Sequence, residues 1–103
     1  VSHHLVRLSR TEQTILELLV EERDLFGLQI VERSRGAIKR GTVYVTLGRM
    51  QEKGYVESRA EARAPGAIGL PRRLYRPTGY GTVVLREWTR VAKALARLRP
   101  VKV

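Results

Sequence analysis

With 103 residues, 43 % of them apolar, the chain has the length for one domain with a single modest core. Twenty Lys/Arg against ten Asp/Glu give a net charge of +10; sixteen of the twenty are arginine, whose planar fork suits phosphates and guanine edges, so a polyanionic partner is expected ahead of an acidic membrane surface or an acidic protein. The absence of cysteine excludes disulfides and thiolate metal sites, and no apolar run approaches the ~20 residues of a membrane span, so an intracellular, cytoplasmic location with no membrane partner is the expectation.

The opening "VSHHLVRLSR" lacks a signal-peptide layout, and no function is expected of its first four residues. Ser9-Arg10-Thr11-Glu12 reads as a capping box, in which the serine oxygen meets the backbone N–H of Glu12 and the glutamate reaches back. The helix that follows, "TEQTILELLVEER", carries Ile15, Leu18 and Leu19 at helical spacing, with Leu16 and Val20 widening the apolar face. Asp24 to Gly27 reads as a connection, and "GLQIVERS" as a second helix burying Ile30 and Val31. "RGAIKRG" makes a basic turn into a third helix, from about Arg40 to Lys53, which Gly54 closes as a left-handed C-cap. Tyr55 to Arg59 alternates as a strand would, "AEARAPGAIGLP" is a loop, and Arg72 to Arg76 is a return strand. Thr78 caps a last helix running to about Arg99.

This order gives a mainly α fold with a small β-hairpin wing: a winged helix-turn-helix over residues 5–77, and a C-terminal dimerisation helix over 78–99 within the same compact unit. Charge follows the same division. Residues 1–32 hold three basic and six acidic side chains, net −3. Residues 33–76 hold eleven and three, net +8, and residues 77–103 six and one, net +5. The binding surface is therefore expected to begin near Arg33, on the third helix and the wing.

In the third helix, Val43, Leu47 and Met50 form one apolar stripe at 4,3 spacing. At 100° per residue, Val45 and Arg49 then point outward, with Thr42 and Thr46 on one flank and Tyr44 on the other. An outward valine suits a thymine methyl, a threonine suits a base edge or phosphate, and Arg49 suits guanine O6 and N7. Lys39 and Arg40 lie at the helix N-terminus, where free N–H groups already favour phosphate. Tyr44 has two readings: a rim residue packed on the second helix, or a phenol donating to a phosphate. The plainer alternative for this face is ordinary solvated surface.

In the hairpin, alternation puts Arg72, Leu74 and Arg76 on one face and Arg73 with Tyr75 on the other. Arg72 or Arg73 is expected on phosphate, and Arg63 at the tip is expected to be mobile without DNA. The competing reading pairs one or two of these arginines with Glu57 or Glu61.

From Phe26 to Gly81 the chain resembles the PadR family of bacterial transcriptional regulators. Gly27-Leu28-Gln29-Ile30 is similar to that family's start of the second helix. Gly41-Thr42-Val43-Tyr44, Leu47 and Arg49-Met50 match its third helix, and Gly54-Tyr55-Val56 matches its exit into the wing. Arg72-Arg73-Leu74-Tyr75-Arg76-Pro77-Thr78-Gly79-Tyr80-Gly81 resembles its wing-to-helix block, departing at Leu74 and Pro77. The resemblance implies a dimeric winged-helix repressor whose third helix meets DNA through Thr42, Tyr44 and their neighbours, with Arg72 and Arg73 anchoring the wing.

Val84, Trp88, Val91, Leu95 and Leu98 repeat at 4, 3, 4, 3, a narrow seam suited to helix contact between subunits, in which Leu5 and Leu8 are expected to share. Opposite lie Arg86, Arg90, Lys93 and Arg97. Trp88 is the only tryptophan. It reads as an interface anchor or, by the resemblance to short PadR-like proteins with one helix after the wing, as a platform for a small planar aromatic ligand.

Nothing in the sequence supports catalysis: there is no phosphate-binding glycine loop, no paired carboxylate and no set of metal ligands, and no cofactor is expected. The leading expectation is a sequence-specific, homodimeric repressor of a palindromic operator on double-stranded DNA, released by a small aromatic effector. An architectural or replication-associated winged helix without an effector, and a module docking an acidic protein, are the alternatives.

Overall fold

A computed structural model describes residues 7–98. Leu5 and Arg99 lie outside that range. Helix α1 spans Arg10–Glu22, and its N-terminus is the capping box expected: Ser9 Oγ accepts from the Glu12 N–H at 3.1 Å, and Glu12 Oε1 accepts from the Ser9 N–H at 2.9 Å. Ile15, Leu16 and Leu19 are fully buried, whereas Leu18 is half-buried and Val20 exposed. The apolar face is thus narrower than the sequence suggests.

Strand β1 (Leu25–Phe26) occupies the stretch expected to be a bare connection. It is followed directly by α2 (Gly27–Arg33) and, after a turn through Arg35 and Gly36 in left-handed conformation, by α3 (Arg40–Glu52). Ser34 staples that turn, donating to the Val31 carbonyl and accepting from the Ile38 N–H. Ile30 is buried, and Val31 only half so.

The end of α3 carries two nested hydrogen bonds, Gly54 N–H to the Gln51 carbonyl and Tyr55 N–H to that of Met50, with Gly54 at φ +80°. This geometry needs a residue without a Cβ. It turns the chain into β2 (Val56–Ala60), which pairs antiparallel with β3 (Arg73–Pro77). β3 lies between β2 and β1, with Tyr75 opposite both Ser58 and Leu25. The wing is therefore anchored to the helical body by β1 rather than projecting as a free hairpin.

Helix α4 spans Gly79–Arg97. Thr78 ties its start to the end of α3: its hydroxyl donates to the Gly54 carbonyl at 2.6 Å and accepts from the Gly81 N–H at 2.9 Å. Gly81 packs so tightly that a Cβ there would sit 2.0 Å from the Tyr55 carbonyl oxygen. One core, built on Ile15, Leu16, Leu19, Ile30, Val43, Leu47 and Met50, is completed by Leu25 and Tyr75 from the sheet and Val84 from α4. Val84 corrects the sequence reading. It is 2 % exposed and belongs to its own chain's core, so it is not free to face a second subunit.

Candidate nucleic-acid interface

The stripe Val43, Leu47 and Met50 is wholly buried, which fixes the rotation of α3 and sets the opposite face toward solvent. On that outer face Thr42, Arg49 and Val45 are exposed, Val45 to 55 %, while Thr46 is half-buried on the flank. No side chain caps the N-terminus of α3, and Lys39 and Arg40 stand exposed beside it. Of the cations here, Lys39, Arg40 and Arg49 form no ion pair among the described residues. Such a surface combines unpaired positive charge, two hydroxyls and one valine. It can accept phosphates at the helix end and base edges along the outer face.

Tyr44 is half exposed, and its ring lies over Gly27 of α2: a Cβ on that glycine would fall 2.5 Å from the ring carbon Cε1. The ring therefore rests on the second helix while its edge reaches solvent, and the two sequence readings of Tyr44 are compatible. The role of Gly27 as a cradle was invisible in the sequence, where it counted only as a helix start.

Lys53, at the other end of α3, is engaged. Its Nζ lies 2.7 Å from Oε2 of Glu12, a carboxylate otherwise buried in the capping box. Burial pushes the Glu12 carboxyl up, but hydrogen bonds from Lys53 and Ser9 outweigh it and hold it below the ordinary carboxylate value. The same bond, against a smaller effect of burial, raises the Lys53 ammonium above the usual lysine value. This pair pins the C-terminal end of α3 to the start of α1.

The wing arginines differ from those of α3, because each has a partner within the chain. Arg72 makes a two-pronged contact with Glu61, at 3.0 and 2.8 Å, and its guanidinium stacks 3.9 Å above the Phe26 ring centroid. The Arg72 hydrogen bond holds the Glu61 carboxyl below its usual range. Arg76 pairs with Glu57 at 2.7 Å and Arg59 with Asp24 at 3.1 Å. Arg73 donates to Ser58 Oγ at 3.0 Å, and that hydroxyl in turn donates to Gln51 Oε1 at the end of α3, also at 3.0 Å. Arg63 donates to the carbonyls of Ile68 and Gly69 and closes its own loop. Backbone acceptors inside a glycine-rich loop offered it a local partner that strand alternation does not reveal.

Tyr44 and the wing residues Pro71, Arg72 and Arg73 line one groove of about 320 Å³ together with Phe26, Gly27 and Tyr75. The structure thus brings α3 and the base of the wing onto a common face. It sets α4 apart. Trp88 is half-buried, with its indole N–H donating to Gln13 Oε1 of α1 at 3.0 Å. With Leu8, Arg10, Thr14 and Glu17 it lines a separate cleft of about 410 Å³. Val91 is half-buried, and Leu95 and Leu98, 57 % and 78 % exposed, continue the seam into solvent. Among the described residues no group of acidic or histidine side chains could hold a metal ion, and no helix is long and apolar enough to cross a membrane.

Comparison with known proteins places this arrangement. A family model described as the transcriptional regulator PadR-like family matches residues 15–87. Among solved structures, the chain is similar to a PadR family transcription regulator from hypervirulent Clostridium difficile R20291, with 26 % identity and a TM-score of 0.66, covering 87 % of this chain and 98 % of that one. It has the same fold as Bacillus subtilis PadR, solved in complex with operator DNA, with 19 % identity, a TM-score of 0.66, and coverage of 89 % of this chain and 49 % of that one. It also has the fold of PcaV, a transcriptional regulator from Streptomyces coelicolor solved with its natural ligand, with 22 % identity, a TM-score of 0.70, and coverage of 93 % and 64 %. No curated protein matches the chain.

Proposed function

The chain belongs to the PadR-like family of transcriptional regulators, and from that premise we propose that it is a homodimeric, sequence-specific repressor of a palindromic operator, released by a small planar ligand. Its family is regulatory rather than enzymatic, so the α3 face needs to bind DNA and perform no chemistry. The observation that carries the reading is that face itself: Val43, Leu47 and Met50 are buried to the last atom while Thr42, Val45 and Arg49 stand uncovered. In this reading Arg49 meets a guanine edge and Val45 a thymine methyl. Thr42, Thr46 and Tyr44 contact base edges or phosphate, Lys39 and Arg40 take phosphates at the helix N-terminus, and Arg73 positions the wing. Arg72 and Arg63 hold the wing's shape through their internal partners.

Dimerisation uses Trp88, Val91, Leu95 and Leu98, because Leu95 in the distal half of α4 and Leu98 at its C-cap are left uncovered by the other described residues. Two subunits would then present their third helices to half-sites about one helical turn apart. Trp88 lines a cleft between α1 and α4, which supports its role as a stacking surface for a flat ligand.

Selection of binding sites from random duplexes, with sedimentation of the same sample, tests the reading. It predicts a palindromic consensus, a dimer, and an affinity for the consensus about 10³-fold or more above random DNA. A monomer with no consensus would support an architectural protein instead. Titration of Trp88 fluorescence with planar aromatic compounds tests release: quenching accompanied by loss of operator binding is expected, and operator binding that no such compound disturbs would remove the effector from the account.

A further inference from the structure

The wing loop ends in an uncharged tip. From Ala64 to Pro71 the sequence is "APGAIGLP", without a single side chain able to form a hydrogen bond. Ile68 and Leu70 are 95 % and 92 % exposed, the most exposed of the large apolar residues described. Isolated apolar residues on a surface are ordinary, but two almost fully exposed aliphatics two positions apart in one short loop form a local apolar concentration. The loop is built to hold them outward. Arg63 grips the Ile68 and Gly69 carbonyls from inside, Gly66 and Gly69 take φ values of +84° and +88°, and the Glu61 N–H extends the stem by bonding the Arg72 carbonyl at 2.7 Å.

The surroundings identify the partner. Of the five arginines in residues 59–76, Arg59, Arg72 and Arg76 are paired with carboxylates, so the positive charge of the stem beneath the apolar tip rests on Arg63 and Arg73, which are held by neutral acceptors alone. The root of the loop, at Pro71, Arg72 and Arg73, shares a groove with Tyr44 of α3, so the loop departs from beside the face proposed to meet DNA. A surface that is negative at its rims and apolar between them matches the minor groove of a duplex, where phosphates flank sugars and base edges. Apolar side chains entering that groove wedge into base steps, and pyrimidine–purine steps such as TA open most easily.

The geometry points to Ile68 and Leu70 as a minor-groove wedge that selects a deformable A·T step flanking each half-site. This inference rests on the DNA-binding reading above. It adds a second source of sequence preference, read through deformation rather than hydrogen bonds and carried by residues that α3 does not supply.

The test compares the full chain with its Ile68→Ser/Leu70→Ser variant, whose changes lie outside the core. Duplexes carry the selected half-sites with flanks containing a central TA step or only G·C pairs, and 2-aminopurine placed at the flanking step reports unstacking. The unaltered chain is expected to prefer the TA flank by about tenfold and to raise the 2-aminopurine signal. The variant should lose both while keeping its preference at the half-site positions. Equal flank preference and equal unstacking in the two proteins would overturn the wedge alone. So would a variant that changes only self-association or binding to anionic lipid vesicles. If the unaltered chain distinguishes neither flank nor half-site from random duplex, the regulator reading itself falls, and the wedge falls with it.

Discussion

The third helix and the wing carry comparable numbers of cations, yet they hold them differently. On α3 the outward Arg49 and the N-terminal Lys39 and Arg40 are without ionic partners among the described residues, whereas Arg59, Arg72 and Arg76 of the wing are each paired with a carboxylate. An unpaired guanidinium meets a phosphate or guanine without first surrendering a contact. A paired one must exchange one oxygen acceptor for another, and its net contribution shrinks accordingly. Positive charge counted along the sequence therefore overstates the wing as an electrostatic surface and understates α3. The wing spends most of its charge on its own shape, which leaves base reading through hydrogen bonds to the helix.

Both regions hang on the joint between the end of α3 and the start of α4, and breaking that joint should have the largest effect. Gly81→Ala drives a methyl into the Tyr55 carbonyl, which backbone cannot easily vacate. A loss of roughly 3 kcal/mol is expected, seen as a fall of about 12 °C or more in the thermal midpoint. An unchanged midpoint would show that the joint is looser than described.

Arg73→Ala separates positioning from reading. Because Arg73 sits on the wing and is tied to α3 only through Ser58 and Gln51, its loss should weaken selected and random duplexes alike and flatten the salt dependence by about one unit. A drop confined to the selected duplex would make it a reader instead.

Glu61→Gln sharpens the contrast directly, since it releases the Arg72 guanidinium. Non-specific DNA affinity should rise and the salt slope steepen by up to about one unit. The charge-matched change Glu21→Gln, on the exposed face of α1, should do much less. Equal responses would mean that pairing does not silence the wing.

The smallest effect concerns how α3 is held. Glu12→Gln keeps a residue able to complete the capping box but removes the ion pair with Lys53, whose side chain is half exposed. A loss of about 0.5–1 kcal/mol at neutral pH is expected after allowing for solvent screening. The Glu12 carboxyl is depressed in the folded chain, so its contribution is complete above the ordinary carboxylate value and disappears as pH falls through the folded one. Lys53 is raised, so its share is complete below the ordinary lysine value and is lost as pH climbs through the folded one. Denaturant titrations across pH should show a flatter profile for the variant at both ends.

How much of this was legible in the sequence depended on the range of the interaction. The Ser9–Glu12 capping box, the buried stripe of α3 and the Gly54 turn are set by neighbours within one or two turns, and each is where the pattern put it. Strand β1 was missed because two residues cannot display an alternation; only pairing with Tyr75, fifty positions on, makes Leu25 a strand. Val84 was misassigned because the 4,3 seam of α4 is the same whether a helix packs on its own domain or on a copy. The first member of the seam meets its own core, and Leu95 and Leu98 lie beyond the reach of that core. The ion pairs of the wing were foreseen as an alternative for Glu57 and Glu61, but the partnership of Arg59 with Asp24 spans 35 positions and leaves no local signature.

The claim on which the account turns is that the uncovered face of α3 reads bases. A complete base-substitution matrix of the selected operator, measured with the unaltered chain and with Arg49→Ala, tests it most directly. The account predicts that the variant loses discrimination of about 1–3 kcal/mol at one base pair in each half-site and retains it at the others. An even loss at every position, or a matrix that Arg49→Ala leaves unchanged, would contradict it.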